Sequence, residues 1–568
     1  MPSTLSRLSR AAALALLLPL GLPAPAGAES LAGALLAAQA ASNANDYAAA
    51  ARYYAQALSL APDDPELREQ AVIAFLGKGD FESARALASE LDAGGFDSQI
   101  GELVLIADAT RRGAFAEALE RFDRGAGFSP LLDGLLRAWL LLGTGDAEAA
   151  LAAFDKMAGS ETLGVFGQAH KALALAMVGD FEGADRILSG GDGGALRIDR
   201  TAVIAHAQIL AQLDRRDEAI AVLDQALDGR SDAEAEALRA RLAAGEPVGW
   251  DVITTPAEGV AEVFYVIASA LGGQGPDRLA LIYARLGQFI DPERVKILLL
   301  VAQILEDQDQ HALAIALYDQ VPPEHPMFVE AGIGRANALF ASGDEEGAVA
   351  ALRALAADHS GDEAVHAALG DTLRRLSRFA EAAEAYSAAI ALIEAPQPSH
   401  WFLFYSRGIC WERTGQWEKA EADFRKALEL SPDQPLVLNY LGYSLVERRE
   451  RLDEALEMIR KAVQKRPDDG YITDSLGWAY FRLGRYDEAV PVMEHAVELT
   501  PLDPIITDHL GDVYWAVGRK REARFQWWRA LSLGPEEKDA ARIRRKLELG
   551  LDAVLAEEGE PPIIANGN

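Results

Sequence analysis

The chain has 568 residues, of which 50% are hydrophobic and 25% are charged, as in an ordinary folded protein. Its 87 acidic residues outnumber 54 basic ones and give a formal charge of -33, which argues against nucleic acid and anionic lipid headgroups as partners of the chain as a whole. The single cysteine, Cys410, excludes an intramolecular disulfide and a metal site built from several thiolates.

The first 28 residues have the pattern of a secretory signal peptide. Arginines near the start are followed by an apolar stretch at residues 11–22 and by small residues up to Ala28. This apolar stretch is too short to span a bilayer, and no later segment is long enough either. We therefore predict cleavage between Ala28 and Glu29 and a periplasmic location. The sequence predicts no transmembrane segment, and it predicts no lipid anchor because the first mature residue is not a cysteine.

Alanine recurs along the chain at a nearly constant interval. Most intervals in the series are 34 or 35 residues, and 34 residues is the period of the tetratricopeptide repeat. The series consists of Ala50, Ala84, Ala118, Ala150, Ala184, Ala219, Ala280, Ala314, Ala348, Ala382, Ala420, Ala455, Ala489 and Ala523. Because two helices approach closely where small side chains meet, we expect each alanine to lie at a contact between paired helices, as Ala489 would with Gly477.

The C-terminal repeats match the signature of the tetratricopeptide repeat best. The matching residues of one repeat are Leu476, Gly477, Tyr480, Gly484, Tyr486, Ala489, Ala496 and Pro501. Here Tyr480 would fill the space between two helices, and Gly484 would supply the turn. The sequence predicts an all-α fold, a tetratricopeptide-repeat superhelical solenoid of antiparallel helix hairpins with about 14 repeats and one interruption. Contacts between neighbouring repeats would stabilise it.

The repeat series is interrupted once, between Ala219 and Ala280, which lie 61 residues apart. A helical stretch at residues 232–244 and a polar segment at residues 245–259 occupy this interval. We interpret the interval as a joint between two arrays, although a loop insertion is equally compatible. The predicted organisation is a signal peptide at 1–28, an N-terminal array at 29–230, a joint at 231–256, a C-terminal array at 257–535, a capping helix at 536–556 and a disordered tail at 557–568.

No motif for catalysis or metal binding is found in the sequence. Zinc-type His-Glu-x-x-His, phosphate-loop and Gly-x-Ser-x-Gly patterns are absent, and the nine histidines are scattered. Cys410 is expected to be a small buried side chain rather than a reactive thiol. We therefore predict that the protein is not an enzyme and has no catalytic site, no metal site and no cofactor.

Aromatic residues concentrate near the C-terminus, where seven of the nine tryptophans lie. In tetratricopeptide-repeat proteins the first helix of each repeat lines the concave groove, which makes this strip a candidate site for a protein or peptide partner. The predicted partner-binding residues are Phe402, Tyr405, Asn439, Tyr443, Tyr471, Asp474, Trp478, Phe481, Arg482, Asp508 and Trp515. Rigid aromatics and hydrogen-bonding groups together suit peptide recognition. The alternative is that the same aromatics pack between repeats as core.

Three segments between residues 438 and 533 carry a family resemblance. They read Asn439-Tyr440-Leu441-Gly442-Tyr443, Asp474-Ser475-Leu476-Gly477-Trp478-Ala479-Tyr480 and Asp508-His509-Leu510-Gly511-Asp512. This region resembles proteobacterial envelope tetratricopeptide-repeat proteins. Some of these are outer-membrane lipoproteins that act as adaptors for a carboxyl-terminal processing protease. The chain departs from them because it lacks the cysteine that would carry the lipid.

The resemblance implies an exported scaffold or adaptor that binds a protein or peptide through its groove and presents clients to an envelope protease. The alternative function is a structural component of an outer-membrane or polysaccharide-export assembly. The sequence leaves the oligomeric state and the identity of the partner open.

Overall fold

The structure is a computed structural model that describes residues 30–124, 127–190, 200–227, 232–272, 278–560 and 563. The predicted signal peptide and its cleavage site lie outside the described residues. Within the described part of the chain every regular element is helical, as the sequence predicts. None of the helices found in these ranges combines the length and the apolar character needed to cross a bilayer.

The chain divides into two compact units, residues 1–342 and 343–568. The helices of the N-terminal unit are α1 (Leu31–Asn43), α2 (Tyr47–Leu60), α3 (Pro65–Lys78), α4 (Phe81–Ala93), α5 (Gln99–Arg111), α6 (Phe115–Arg124), α7 (Pro130–Gly143), α8 (Ala147–Ala158), α9 (Gly164–Met177), α10 (Phe181–Leu188), α11 (Arg200–Gln212), α12 (Arg216–Ala226), α13 (Ala233–Ala243), α14 (Pro256–Gly272), α15 (Arg278–Ile290), α16 (Val295–Asp307), α17 (His311–Tyr318) and α18 (Phe328–Ala341).

The helices of the C-terminal unit are α19 (Glu345–Asp358), α20 (Glu363–Arg375), α21 (Phe379–Leu392), α22 (Trp401–Arg413), α23 (Trp417–Leu430), α24 (Pro435–Glu447), α25 (Leu452–Lys465), α26 (Gly470–Arg482), α27 (Tyr486–Leu499), α28 (Pro504–Ala516), α29 (Lys520–Ser532), α30 (Glu537–Leu549) and α31 (Leu551–Glu558). From α20 to α29 the helices pair into consecutive hairpins. The first helices of successive hairpins also contact one another, α20 with α22, α24 with α26 and α26 with α28.

The hairpin of α26 and α27 illustrates why these sequences fold as they do. Asp469 caps α26 by accepting hydrogen bonds from the first backbone N–H groups of the helix. Gly484, at φ 73°, makes the turn in a left-handed conformation that favours glycine. An ideal Cβ at Gly477 would lie 2.2 Å from Sδ of Met493, so the missing side chain makes room for a large residue of the partner helix.

The side chain nearest to Gly477 is therefore Met493, which the sequence did not predict. Ala489, the expected neighbour, is fully buried. The same contact of glycine with a large residue recurs between Gly370 and Tyr386, Gly408 and Phe424, Gly442 and Ile459, and Gly511 and Trp527. Each pair places a large side chain of the second helix over a bare stretch of backbone on the first, which brings the two helices close together.

In the N-terminal unit the hairpin of α14 and α15 packs on the first helices of earlier repeats. Helix α14 contacts α5, α7 and α9, and α15 contacts α3 and α5. First helices line the groove side of such a solenoid, so the groove of this unit is filled by the chain's own helices.

Three contacts fix this hairpin and the helix that follows it. The ring of Trp139 lies directly against Gly259, where no side chain larger than hydrogen fits. Arg285 donates a hydrogen bond from Nη2 to the carbonyl of Gly77 (3.2 Å), and burial lowers the pKa of its guanidinium to about 10. Farther along, the hydroxyl of Tyr47 donates to Oε1 of Gln308 (2.7 Å).

The interruption in the repeat series lies inside the N-terminal unit. Residues 233–243 form α13, whose N-terminus is capped by Asp232. The polar segment after it leads to α14, which begins at Pro256. The division of the chain into two units falls between Ser342 and Gly343 instead, because α14 and α15 pack back on α3, α5 and α7 and so join the earlier repeats.

The C-terminal cap differs from the single helix predicted at residues 536–556. Gly550, at φ 86° and ψ 156°, divides it into α30 and α31, which pack on each other. This backbone region is open almost only to glycine. Helix α31 extends to Glu558, so the first two residues of the predicted disordered tail are helical, and most of the rest lie outside the described residues.

Replacing Gly550 by alanine is expected to lower the stability of the C-terminal unit by about 2–3 kcal/mol. The alanine would be strained at this φ, and its Cβ would lie 2.6 Å from Cζ2 of Trp515. Gly534→Ala is a matched control, because Gly534 also has a positive φ (74°) but has no atom within 4 Å of the added Cβ. We expect about 1 kcal/mol for the control. Equal losses in urea denaturation would contradict the contact with Trp515.

Candidate partner-binding groove

The eleven residues predicted to bind a partner lie on α22, α24, α26 and α28, the first helices of four successive hairpins. The structure brings them to the groove side of the C-terminal unit, but it gives them different surroundings. Residues on α22 and α24 are accessible or half-buried, whereas most of those on α26 and α28 are buried. We call these two parts the open half and the closed half of the groove.

The open half consists of Phe402, Tyr405, Asn439 and Tyr443. Phe402 is 37% exposed, and the ring of Tyr405 packs among aromatic neighbours with centroid distances of about 6 Å. Burial raises the pKa of both tyrosines. Oδ1 of Asn439 is buried and accepts no hydrogen bond from the residues that the structure describes. An acceptor of this kind favours a donor from outside the chain.

Trp478 lies at the centre of the closed half and is only 7% exposed. Its ring is stacked between Phe481 (centroids 4.8 Å apart) and His509 (4.0 Å). Its Nε1–H donates to Oε1 of Glu447 at 2.7 Å. A tryptophan with both faces covered and its N–H paired has the surroundings of a core residue. Tyr471, on the same helix, is 61% exposed.

The C-terminal helix and the residues just after it contact two more residues of the closed half, Trp515 and Arg482. Nε1 of Trp515 donates to Oδ2 of Asp552 on α31 at 2.9 Å. Glu560, two residues beyond α31, accepts a hydrogen bond from Nη1 of Arg482 at 3.4 Å and forms an ion pair with Arg449. The predicted groove residues Trp515 and Arg482 therefore already have partners within the chain.

The carboxylate of Asp508 forms an ion pair with a buried ammonium group. Nζ of Lys546 contacts Oδ1 and Oδ2 of Asp508 (2.5 and 2.6 Å) and Oδ1 of Asp512 (2.7 Å). Nε1 of Trp527 donates to the same oxygen of Asp512 at 2.8 Å. This cluster fixes α30 to α28 and is structural.

The sequence interpretation missed Lys546, Asp552 and Glu560. The charge pattern near the end of the sequence could have indicated these residues. There a basic helix is followed by residues 551–560, which contain four acidic side chains and no basic one.

Asp474 and His509 form a second buried ion pair in the closed half. Nδ1 of His509 lies 3.0 Å from Oδ1 of Asp474. Burial alone would lower the pKa of His509, but the charge of Asp474 and its hydrogen bond outweigh burial and raise the pKa above the ordinary 6.5. His509 therefore stabilises the fold in its protonated form.

The contribution of His509 to the free energy of unfolding is fully present below pH 6.5, the unfolded value, and is lost as the pH rises through the higher folded pKa. We expect His509→Gln to destabilise the protein more at about pH 6 than at about pH 9, measured by urea denaturation at both. His495→Gln, on α27, is the control, because the side chain of His495 is 53% exposed and its replacement should lower stability by no more than about 0.5 kcal/mol. A constant difference between wild type and His509→Gln would contradict the ion pair.

Nowhere in the described ranges do three His, Cys, Asp or Glu side chains form a cluster that could hold a metal ion. Cys410 is buried, as predicted, and burial raises the pKa of its thiol to about 12. The prediction that the protein is not an enzyme stays a prediction.

Comparison with protein families gives two matches, both described as tetratricopeptide repeat. One model matches residues 333–400, 368–435, 412–470 and 441–504, and the other matches residues 41–104. A similar curated protein is the TPR repeat-containing protein PA4667 of Pseudomonas aeruginosa, which is 30% identical over 185 residues. That match covers 33% of this chain and 31% of the relative, so the chain spans about a third of the relative's length.

Two solved structures illustrate the structural similarity. The Cut9–Hcn1 hetero-tetramer structure matches 91% of this chain and 96% of its own chain, at 15% identity and a TM-score of 0.38. A tetratricopeptide-repeat protein from Parabacteroides merdae matches 45% of this chain and 98% of its own, at 17% identity and a TM-score of 0.37.

The helix hairpins and the family matches lead to the same assignment. The repeats matched at residues 41–104 and 333–504 have the tetratricopeptide-repeat signature, and the helices that they form pair as the repeat requires. The chain is an all-helical tetratricopeptide-repeat solenoid, a fold consistent with a scaffold for protein–protein interaction.

Proposed function

We propose that the protein is an exported adaptor without catalytic activity that binds a protein or peptide partner through the groove of its C-terminal unit. The observation that supports this most is the open half of the groove, where Phe402 is accessible and Oδ1 of Asn439 is buried without a hydrogen-bond partner among the described residues. An exposed aromatic side chain and an unsatisfied acceptor on successive hairpins suit an apolar side chain and a backbone N–H of a bound peptide.

The proposed cellular role is to present this partner to a carboxyl-terminal processing protease of the envelope. Support for this role comes from the resemblance of residues 438–533 to envelope adaptors. Export is supported by the signal-peptide pattern of residues 1–28. N-terminal sequencing of the protein from its host should find Glu29 in the soluble periplasmic fraction. Recovery from the cytosol with Met1 intact would contradict export.

Groove binding is tested by site-specific photocrosslinking in cells. A photoreactive phenylalanine analogue at Phe402, in the open half, is expected to capture a specific partner that mass spectrometry identifies. The same analogue at Phe525, which is 68% exposed on the second helix of its hairpin, is the control and should not capture that partner. Capture of the same proteins from both positions, or from neither, would contradict binding in the groove. Capture of the protease together with its substrates would support the adaptor role.

A further inference from the structure

A segment of the chain itself, residues 551–560, lies in the closed half of the groove. Residues 551–560 contact α26, α28 and the residues just after α24 through Trp515, Arg482 and Arg449. Leu551, Val554 and Leu555 on α31 are buried. The segment thus combines an apolar face with carboxylates at both ends.

Charge complementarity explains why this segment fits. Residues 551–560 contain four acidic side chains and no basic one. On the groove side, Arg449 and Arg482 interact with the carboxylate of Glu560, and the indole N–H of Trp515 donates to the carboxylate of Asp552. The fit is incomplete, because a cleft of about 270 Å³ remains beside Trp515, Lys520 and Asp552.

Helix α30 and residues 551–560 are held to the rest of the unit by different contacts, although two ion pairs, Arg542 with Glu558 and Arg545 with Glu557, join them. Helix α31 has only eight residues, which is too short for an independently stable helix. It joins α30 at Gly550, whose conformation interrupts the helix. Glu560, just beyond α31, forms a part-exposed ion pair with Arg449, and pairs of this kind contribute little. Its second partner, Arg482, is only 13% exposed. Helix α30 is held separately by the buried contacts of Lys546.

We infer that the closed half of the groove recognises an acidic, leucine-containing helical segment of a partner protein, and that residues 551–560 occupy this site until the partner displaces them. This inference rests on the proposed function and adds to it the chemistry of the partner and a means of regulation. The partner segment carries one carboxylate for the N–H of Trp515 and another, about eight residues later, for Arg482 and Arg449.

The test uses the full-length chain and a fluorescein-labelled peptide with the sequence of residues 550–560. The opened variant carries Asp552→Lys and Glu560→Lys, which remove the two carboxylates that hold the segment in the groove. The control variant carries Glu537→Lys and Glu548→Lys on α30, which make the same change in net charge away from the groove. By fluorescence anisotropy we expect the opened variant to bind the peptide at least about ten-fold more tightly than the wild type and the control. Adding Arg482→Glu to the opened variant should abolish the gain.

Hydrogen exchange distinguishes release of residues 551–560 from unfolding of the C-terminal unit. In the opened variant, amides of residues 551–559 should exchange at least about ten-fold faster, while those of α28 stay as protected as in the wild type. Loss of protection in α28 would show that α31 is a structural cap and would overturn the inference. An opened variant that releases the segment but binds the peptide no better than the wild type would also overturn it.

The outcomes separate this inference from the proposed function. If the photocrosslinker at Phe402 captures a partner equally well in wild type and opened variant, groove binding stands and regulation by the C-terminus fails. If the peptide binds the opened variant but no partner is captured in cells, occupancy of the closed half is supported and the proposed function fails.

Discussion

Replacing Lys546 by methionine is expected to lower the stability of the C-terminal unit by about 3–5 kcal/mol. The side chain of Lys546 is fully buried, and its ammonium group is shared by Asp508 and Asp512. Methionine retains most of the volume but removes the ammonium partner of Asp508, and it leaves Asp512 with Arg542 as its remaining ion-pair partner, at 3.5 Å. Because the chain has two units, the loss is best measured as the free energy of opening of α28 amides by hydrogen exchange.

Arg544→Met is the matched control for this change. Arg544 lies on the same helix, but 57% of its side chain is exposed, and its ion pair with Glu537 lies at the surface. We expect the control to change stability by no more than about 0.5 kcal/mol. Similar effects of the two substitutions would mean that the cluster around Lys546 is hydrated rather than buried.

Truncating Trp478 to alanine is expected to cost about 3–5 kcal/mol, the usual range for a buried aromatic. The change removes the stacking with Phe481 and His509 and leaves Glu447 without its donor. Tyr471→Ala, on the exposed side of the same helix, should cost no more than about 0.5 kcal/mol. Both are measured by hydrogen exchange of α26 and α28.

The same two variants decide between the two roles considered for the aromatic strip. If Trp478→Ala leaves protection unchanged but abolishes capture of the partner, Trp478 is a binding anchor rather than core. The expected result is the opposite, loss of protection throughout α26 and α28.

The repeat fold could be predicted because its signal is local. The spacing of small and aromatic residues in one repeat, such as Gly477 and Tyr480, encodes a hairpin, and stacking follows from the repetition. The occupied groove of the N-terminal unit was missed because it depends on contacts between distant repeats. A signal was present in α14, which is apolar on most sides and therefore belongs in an interior.

The groove of the C-terminal unit could be predicted only in part. The structure places the predicted residues on the first helices of four successive hairpins, and their role in partner binding stays a prediction. Position in the repeat does not indicate what covers a helix afterwards. Trp515 and Arg482 are covered because the chain changes direction at Gly550. In the sequence, a glycine at this point indicates only the end of a helix.

The hairpin of α14 and α15 also determines how the N-terminal unit folds. Its contacts and those of α16 join residues 208 and 261 positions apart, between Arg285 and Gly77 and between Gln308 and Tyr47. Folding rates fall as the contact order rises, because loop closure must precede such contacts. An open array can nucleate at any repeat and grow outward. In this unit, by contrast, the first and the last helices must come together before these contacts can form. We therefore expect it to refold as one slow cooperative step.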